Sequence, residues 1–254
     1  MMSVAALVDG VVGELVLARG EARNALDLEL ATSLSACVRE LSAAGVRVVL
    51  LRAEGSAFCV GGDLRAFAAQ VDRAAYVESV ANALHDALLA LWRLPAVVVS
   101  AVGGVAAGAG VPIALSADLV VASTAARFDL AYIRAGLTPD GGTTMLVSSL
   151  GLHRALHMAL LSPSLSAEEA RTLGLVCEVV EPEALDARTR ELVAHLAAGP
   201  HQALAQTRRL IRDQAIPDPA SVLAAETAAL VAQLAGPEGK EGIDAFLAKR
   251  RPVF

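Results

Sequence analysis

Apolar positions along the chain follow two rhythms. Short β-branched runs, residues 46–52 and 96–102, have the length of buried strands, and longer stretches repeat apolar residues every three or four positions, the period of an amphipathic helix. Residues 4–8 and 13–18 read as a hairpin with Asp9-Gly10 near its turn. Residues 28–44 have helical spacing behind Asp27, a favoured N-cap type. Asp63 can cap a short helix, and residues 72–92 form a longer amphipathic one that stops before Pro95. The pattern then predicts a strand over 119–122, helices over 142–150, 152–161 and 167–173, and a strand over 175–180. From Leu185 onward it is helical only, interrupted by Gly199-Pro200, Ile216-Pro217-Asp218-Pro219 and Gly236-Pro237. The chain therefore divides into a mixed part, residues 1–184, and a helical part, residues 185–254.

Two stretches stand out against this pattern. They are Ala57-Phe58-Cys59-Val60-Gly61-Gly62-Asp63-Leu64 and Gly103-Gly104-Val105-Ala106-Ala107-Gly108-Ala109-Gly110-Val111-Pro112. Each follows an apolar run, turns on small residues and opens a helix-like segment. Such a turn leaves backbone N–H groups free at the helix start, where a negative charge is favoured. Two turns facing one another can hold one oxygen between two N–H groups, an oxyanion hole. The plainer alternative is that the glycines only relieve backbone strain.

Composition narrows the classes. At 254 residues the chain is long enough for one large domain, with or without a helical appendage. A net charge of −6 argues against a nucleic-acid partner, which would need a basic face. Residues 94–117 carry no charge and are long enough to span a bilayer, but Pro95, Gly103, Gly104, Gly108, Gly110 and Pro112 break the stretch. A buried strand, a turn and a buried helix account for it, and no membrane partner is expected. The three cysteines, Cys37, Cys59 and Cys177, have no metal or redox spacing, and the N-terminus lacks a signal-peptide pattern. A cytoplasmic protein with reduced thiols is the expectation. His153 and His157 have the i, i+4 spacing of a metal pair, but no third ligand is evident, so no metal is expected.

The two turns, in this order and spacing, resemble those of the crotonase (enoyl-CoA hydratase/isomerase) superfamily. Further segments match in sequence order: Arg23-Asn24-Ala25-Leu26-Asp27, Ala126-Arg127-Phe128, Gly136-Leu137-Thr138-Pro139-Asp140-Gly141-Gly142-Thr143, Leu165 to Val176, and the closing run Glu238 to Pro252. The resemblance covers nearly the whole chain. It implies an α/β fold, a ββα spiral core with a C-terminal all-helical region used for oligomerisation, in a homotrimer or hexamer. The implied substrate is an acyl-CoA thioester, with coenzyme A as part of the substrate and no permanently bound cofactor.

The resemblance also assigns residues. The N–H groups of Gly62 and Ala109 would form the oxyanion hole. The first loop, with Arg23 and Ala25, and the segment Gly62-Asp63-Leu64-Arg65 would meet the CoA moiety. Lys249, from a neighbouring subunit, is a further phosphate contact. Hydratases of the family carry two glutamates, and at the matching positions this chain has Pro112 and Tyr132. Neither is a carboxylate, which puts ordinary water addition in doubt. Tyr132 would line the pocket or donate a hydrogen bond. Asp140 is the remaining carboxylate near the expected site, and Asp129 is held in reserve. Asp140 reads either as the catalytic acid/base group or as the N-cap of the helix that follows. The expected reaction is a double-bond shift, as in enoyl-CoA isomerases. The alternatives are hydratase or hydrolase chemistry through Asp140, and a low-turnover acyl-CoA-binding protein.

Overall fold

The structure, a computed structural model, describes residues 3–254. β1 (Val4–Asp9) and β2 (Val12–Leu17) form the expected antiparallel hairpin. α1 (Leu28–Ala43) follows, and the Asp27 side chain accepts from the Leu30 N–H at 2.9 Å. Three units then repeat one plan of long strand, short strand and helix. The first is β3 (Val48–Ala53) and β4 (Ala57–Cys59) with α2 (Leu64–Ala68) and α3 (Arg73–Arg93). The second is β5 (Val97–Val102) and β6 (Val105–Ala107) with α4 (Gly110–Leu115). The third is β7 (Leu119–Ser123) and β8 (Arg127–Asp129) with α5 (Val147–Leu150) and α6 (Leu152–Leu161). After β9 (Leu165–Ser166), α7 (Ala167–Thr172) and β10 (Glu178–Val180), the chain is helical: α8 (Leu185–Ala197), α9 (His201–Ala215), α10 (Pro219–Ala235) and α11 (Pro237–Leu247).

The long strands make a six-stranded sheet in the order β1-β2-β3-β5-β7-β10, parallel beyond the hairpin. The short strands make a second sheet, β4-β6-β8-β9, with only its last pair antiparallel. Both sheets advance by one strand per unit, which is a ββα spiral. The second sheet leaves little trace in the hydrophobic pattern, because strands of two or three residues are too short to show alternation.

Burial on both faces explains the near-continuous apolar strands. Val49, Leu51, Val98 and Val102 point into the main core, while Val48, Leu50, Val99 and Ala101 meet Val193 on the other face. α1 presents Leu30, Ala31, Leu34, Val38 and Leu41 to the core. Each such Leu or Val stabilises by about 1.5–3 kcal/mol when buried. Thr32 and Ser33 cost only a few tenths through weak helix propensity, so packing holds this helix.

The helices from Leu185 onward wrap the same core. α8 covers one sheet face, α10 lies along α3, and α11 contacts α2 and the 3₁₀ turn Tyr132–Ala135. Leu230, Leu234 and Ile243 belong to the main buried cluster. Apolar residues of α8, α10 and α11 thus turn onto their own chain. Large apolar residues left in the open include Leu152, Leu156, Leu160 and Leu161 on α6 and Leu210 and Ile211 on α9. Among the described residues, no single helix is long and apolar enough to cross a membrane. The helix expected over 142–150 divides into a 3₁₀ turn, Thr143–Leu146, and α5.

Candidate active site

The two small-residue turns pack backbone against backbone. Gly61 has φ +86°, and a Cβ there would lie 2.9 Å from the Ala107 carbonyl oxygen. A Cβ on Gly110 would lie 2.2 Å from the Cys59 carbonyl oxygen. Only glycine permits these approaches. Next to them are two unused donors. Asp63 donates its N–H to the Leu26 carbonyl at 2.8 Å, and Gly108 donates to the Asp129 carbonyl at 2.8 Å. Among the described residues, the N–H groups of Gly62 and Ala109 have no acceptor. Both residues line one cavity of about 120 Å³. Ala109 is buried and Gly62 half-buried, so the pair is able to accept an oxygen atom that enters the cavity.

The cavity is otherwise apolar. Leu26, Leu64, Phe67, Val80, Leu230 and Leu234 form most of its wall, drawn from both the mixed and the helical part of the chain. Phe67 stands over the donor at Gly62, where a Cβ would come within 2.8 Å of its ring. The ring is held edge-on against Tyr76, 6.0 Å between centroids, and the Tyr76 hydroxyl accepts from the Leu28 N–H at 3.3 Å. The polar side chains on the wall are Tyr132 and Asp140.

Asp140 is buried, at 4% exposure, and it is not a helix cap. Gly142 occupies the N-cap position of the 3₁₀ turn that follows, with no side-chain cap. The loop is held by the Asp140 carbonyl, which accepts from the Tyr132 hydroxyl at 3.0 Å and the Thr143 hydroxyl at 2.9 Å. The capping alternative is thereby corrected. The Asp140 Oδ1 atom faces His85 Nε2 of α3 at 3.0 Å, with side chains 6% and 7% exposed. The contact has ion-pair distance without the alignment of a hydrogen bond. On the far side of the ring, Nδ1 lies 3.2 Å from the Thr227 hydroxyl of α10, which is also 3.3 Å from the Leu223 carbonyl. Thr227 has one proton to give, to the ring or to that carbonyl.

A second buried carboxylate stands close by. Glu226, 5% exposed, accepts from the Gly142 N–H at 2.6 Å, the Thr144 N–H at 2.7 Å and the Thr144 hydroxyl. Burial pushes its carboxyl above the usual range, and the charge of Asp140 adds to this against the hydrogen bonds from Thr144 and Gly142. Its oxygens are occupied in holding the loop after Asp140. Burial likewise pushes the Tyr132 phenol well above its ordinary range, with Asp140 and Glu226 adding to the effect. Tyr132 therefore stays a neutral hydrogen-bond donor at physiological pH. Neither His85, Thr227 nor Glu226 was anticipated from the sequence.

Other residues fall in varied places. Leu64 and Tyr132 line the cavity, but Ala25 and Asp63 do not. Asp63 caps α2 through the Ala66 N–H at 3.1 Å and pairs with Arg19 at 3.3 Å, so its carboxylate is taken up structurally. Ala25 gives its carbonyl to Arg19 at 2.9 Å, and the buried Asn24 ties its loop to the Glu54 and Ala57 carbonyls. Arg23, Arg65 and Lys249 are exposed and, among the described residues, have no ion-pair partner. Pro112 borders a separate apolar groove of about 640 Å³ beneath α9, which reaches neither the two free N–H groups nor Asp140. Asp129 is engaged by Arg134, by the Ser162 hydroxyl at 2.9 Å and by the Ala131 N–H at 3.1 Å. Cys59 is fully buried with its thiol pKa pushed up to about 12, a packing residue and not a nucleophile. His153 and His157 are exposed, and no group of three metal-ligating side chains stands together among the described residues.

Comparison with known proteins bears on the same architecture. Residues 9–254 match the family model described as enoyl-CoA hydratase/isomerase. A probable enoyl-CoA hydratase of Rhodobacter capsulatus is 38% identical, over 94% of this chain and 93% of its own. The 1,2-epoxyphenylacetyl-CoA isomerase of Escherichia coli is 36% identical with the same coverage. The crystal structure of an enoyl-CoA hydratase from Mycobacterium avium subsp. paratuberculosis superposes with a TM-score of 0.90 at 30% identity, covering 99% of this chain and 98% of that one.

Proposed function

Since the chain belongs to the enoyl-CoA hydratase/isomerase family, we propose that it is an acyl-CoA enzyme that shifts a double bond by way of a thioester enolate. The acyl end occupies the cavity, and the thioester oxygen sits between the N–H groups of Gly62 and Ala109. Asp140 takes a proton from a carbon next to the double bond. The electron pair moves toward the carbonyl, and the oxygen gains negative charge that the two donors stabilise. Losing one such donor typically costs about 10²–10³ in rate. The same carboxyl then returns the proton two carbons along, so the net change is the position of the double bond. Arg23 and Arg65 hold the CoA phosphates, with Lys249 contributed by a neighbouring subunit.

The observation that carries this reading is one buried carboxylate sharing a small apolar cavity with two unsatisfied N–H groups. A pair of carboxylates to activate water has no support, because positions 112 and 132 are Pro and Tyr and Glu226 is fully engaged with the loop. Asp140→Asn tests the role. The side chains are nearly the same size, and only proton uptake is lost. The variant should bind saturated thioesters as wild type does. Its exchange of acyl-CoA α- or γ-protons with deuterated water, read by NMR, should fall by about 10²–10⁴. Equal exchange in both proteins would remove Asp140 from the chemistry. No exchange in either, across several acyl chains, would favour a binding protein. The same reading includes self-association as a trimer or hexamer, with the exposed leucines of α6 supplying the apolar face.

A further inference from the structure

We infer that the acyl group this cavity accepts is compact and uncharged, no larger than about a six-carbon chain or a single ring. The inference rests on the proposed thioester reading of the same site and adds the substrate class to it. Three observations carry it.

The first is size. The cavity measures about 120 Å³. An apolar cavity of about 150 Å³ is filled by one benzene molecule. The second is rigidity. Phe67 is 6% exposed and fixed by Tyr76, whose hydroxyl is in turn fixed by the Leu28 N–H. Leu230 and Leu234, 5% and 3% exposed, close the wall from α10, and that helix is packed along α3. Neither wall is a surface loop that yields to a longer chain.

The third is charge. The wall carries no lysine, arginine or histidine. Its one ionisable acid is Asp140, and Glu226 lies buried behind the same loop. His85 faces Asp140 at 3.0 Å from outside the cavity wall. An acyl group ending in a second carboxylate would bring a charge into this space with no cation on the wall and the carboxyl groups of Asp140 and Glu226 close by. Buried charges without partners are strongly disfavoured. The exposed cations Arg23, Arg65 and Lys249 lie outside the cavity wall and offer no pairing within it.

The test is calorimetric binding of saturated thioesters to the whole protein: CoA itself, then acetyl-, butyryl-, pentanoyl-, hexanoyl-, decanoyl- and glutaryl-CoA. Affinity should climb by about fourfold per methylene up to hexanoyl and gain nothing further at decanoyl. Glutaryl-CoA should bind at least tenfold more weakly than pentanoyl-CoA, which has the same number of acyl carbons. Leu234→Ala, which opens the α10 wall, should move the plateau to longer chains. A continued rise to decanoyl in the wild type, or a glutaryl penalty below tenfold, overturns the inference and leaves the thioester reading standing. A series in which no thioester binds tighter than CoA overturns both. The wild-type series decides the matter even where the variant folds poorly.

Discussion

A carboxylate that gains and loses a proton needs neighbours that tolerate both states. Asp140 has His85 at 3.0 Å and, beyond it, the Thr227 hydroxyl. His85 does not line the cavity, so any part it has in the proposed reaction is through Asp140, as a positioning residue. A buried carboxylate stripped of its one polar side-chain contact is costly to ionise. In the proposed reaction, His85→Asn should therefore lower kcat for proton exchange by about tenfold or more. Thioester affinity should stay within about threefold of wild type, since no cavity contact is lost. A variant whose kcat matches wild type, or whose kcat and thioester affinity fall together, would reduce His85 to packing. Tyr132 is bound to the same loop by its hydroxyl, and its raised pKa keeps that proton in place through the pH range of such an assay.

At the scale of elements, the site is held where two helices meet. α3 carries His85 and α10 carries Glu226, Thr227, Leu230 and Leu234. A third helix secures the C-terminal end of α3. Arg208 of α9 donates to the Leu91, Trp92 and Leu94 carbonyls at 2.7, 2.9 and 2.8 Å and pairs with Asp118 at 2.6 Å. Those carbonyls are the ones a helix end leaves without partners. Arg208→Met keeps the stem but removes those donors; Asp118 keeps Arg212 at 2.6 Å, so the cost is that of acceptors left without a partner, about 1–3 kcal/mol. Urea unfolding should show that loss, and a loss under about 1 kcal/mol would make the contact incidental. The three helices were legible as helices because apolar residues mark their faces. The polar positions on those faces were not singled out, although they are exceptions to the apolar stripes. His85 falls on the stripe Val77, Val80, Ala81, Leu84, Leu88, Leu91, and Glu226 and Thr227 fall on the stripe Leu223, Leu230, Leu234. A charged residue on such a stripe is buried only with partners. Which partners, across 55 residues from His85 to Asp140 and 86 from Asp140 to Glu226, is set by the spiral and not by any local pattern. The two glycine turns were legible for the opposite reason, since they are local features, while the choice of Gly62 and Ala109 within them rested on the family resemblance. The short strands β4, β6, β8 and β9 that bring those turns together left too little pattern to read.

At the scale of the whole molecule, α6 is the element least accounted for by one chain. Of its ten residues only Met158 is buried, while Leu152, Leu156, Leu160 and Leu161 are 44% to 71% exposed. An apolar stripe of this kind on a single copy marks an interaction surface. Light scattering should give an assembly of three or six chains, and Leu156→Glu with Leu160→Glu should reduce it to a monomer with unchanged circular dichroism. A wild-type monomer at micromolar concentration would sink the idea. The wall made by α10 has a consequence in time. Translation delivers both turns and Asp140 about 90 residues before Leu230 and Leu234. At about 5–20 residues per second, the nascent chain carries an open cleft, with Phe67 and Val80 facing water, for about 5–20 s. One face of its main sheet, around Val48 and Val99, is bare until α8 emerges. The cavity is thus among the last things the ribosome finishes, and the chain's greatest exposure to aggregation comes before that wall is in place.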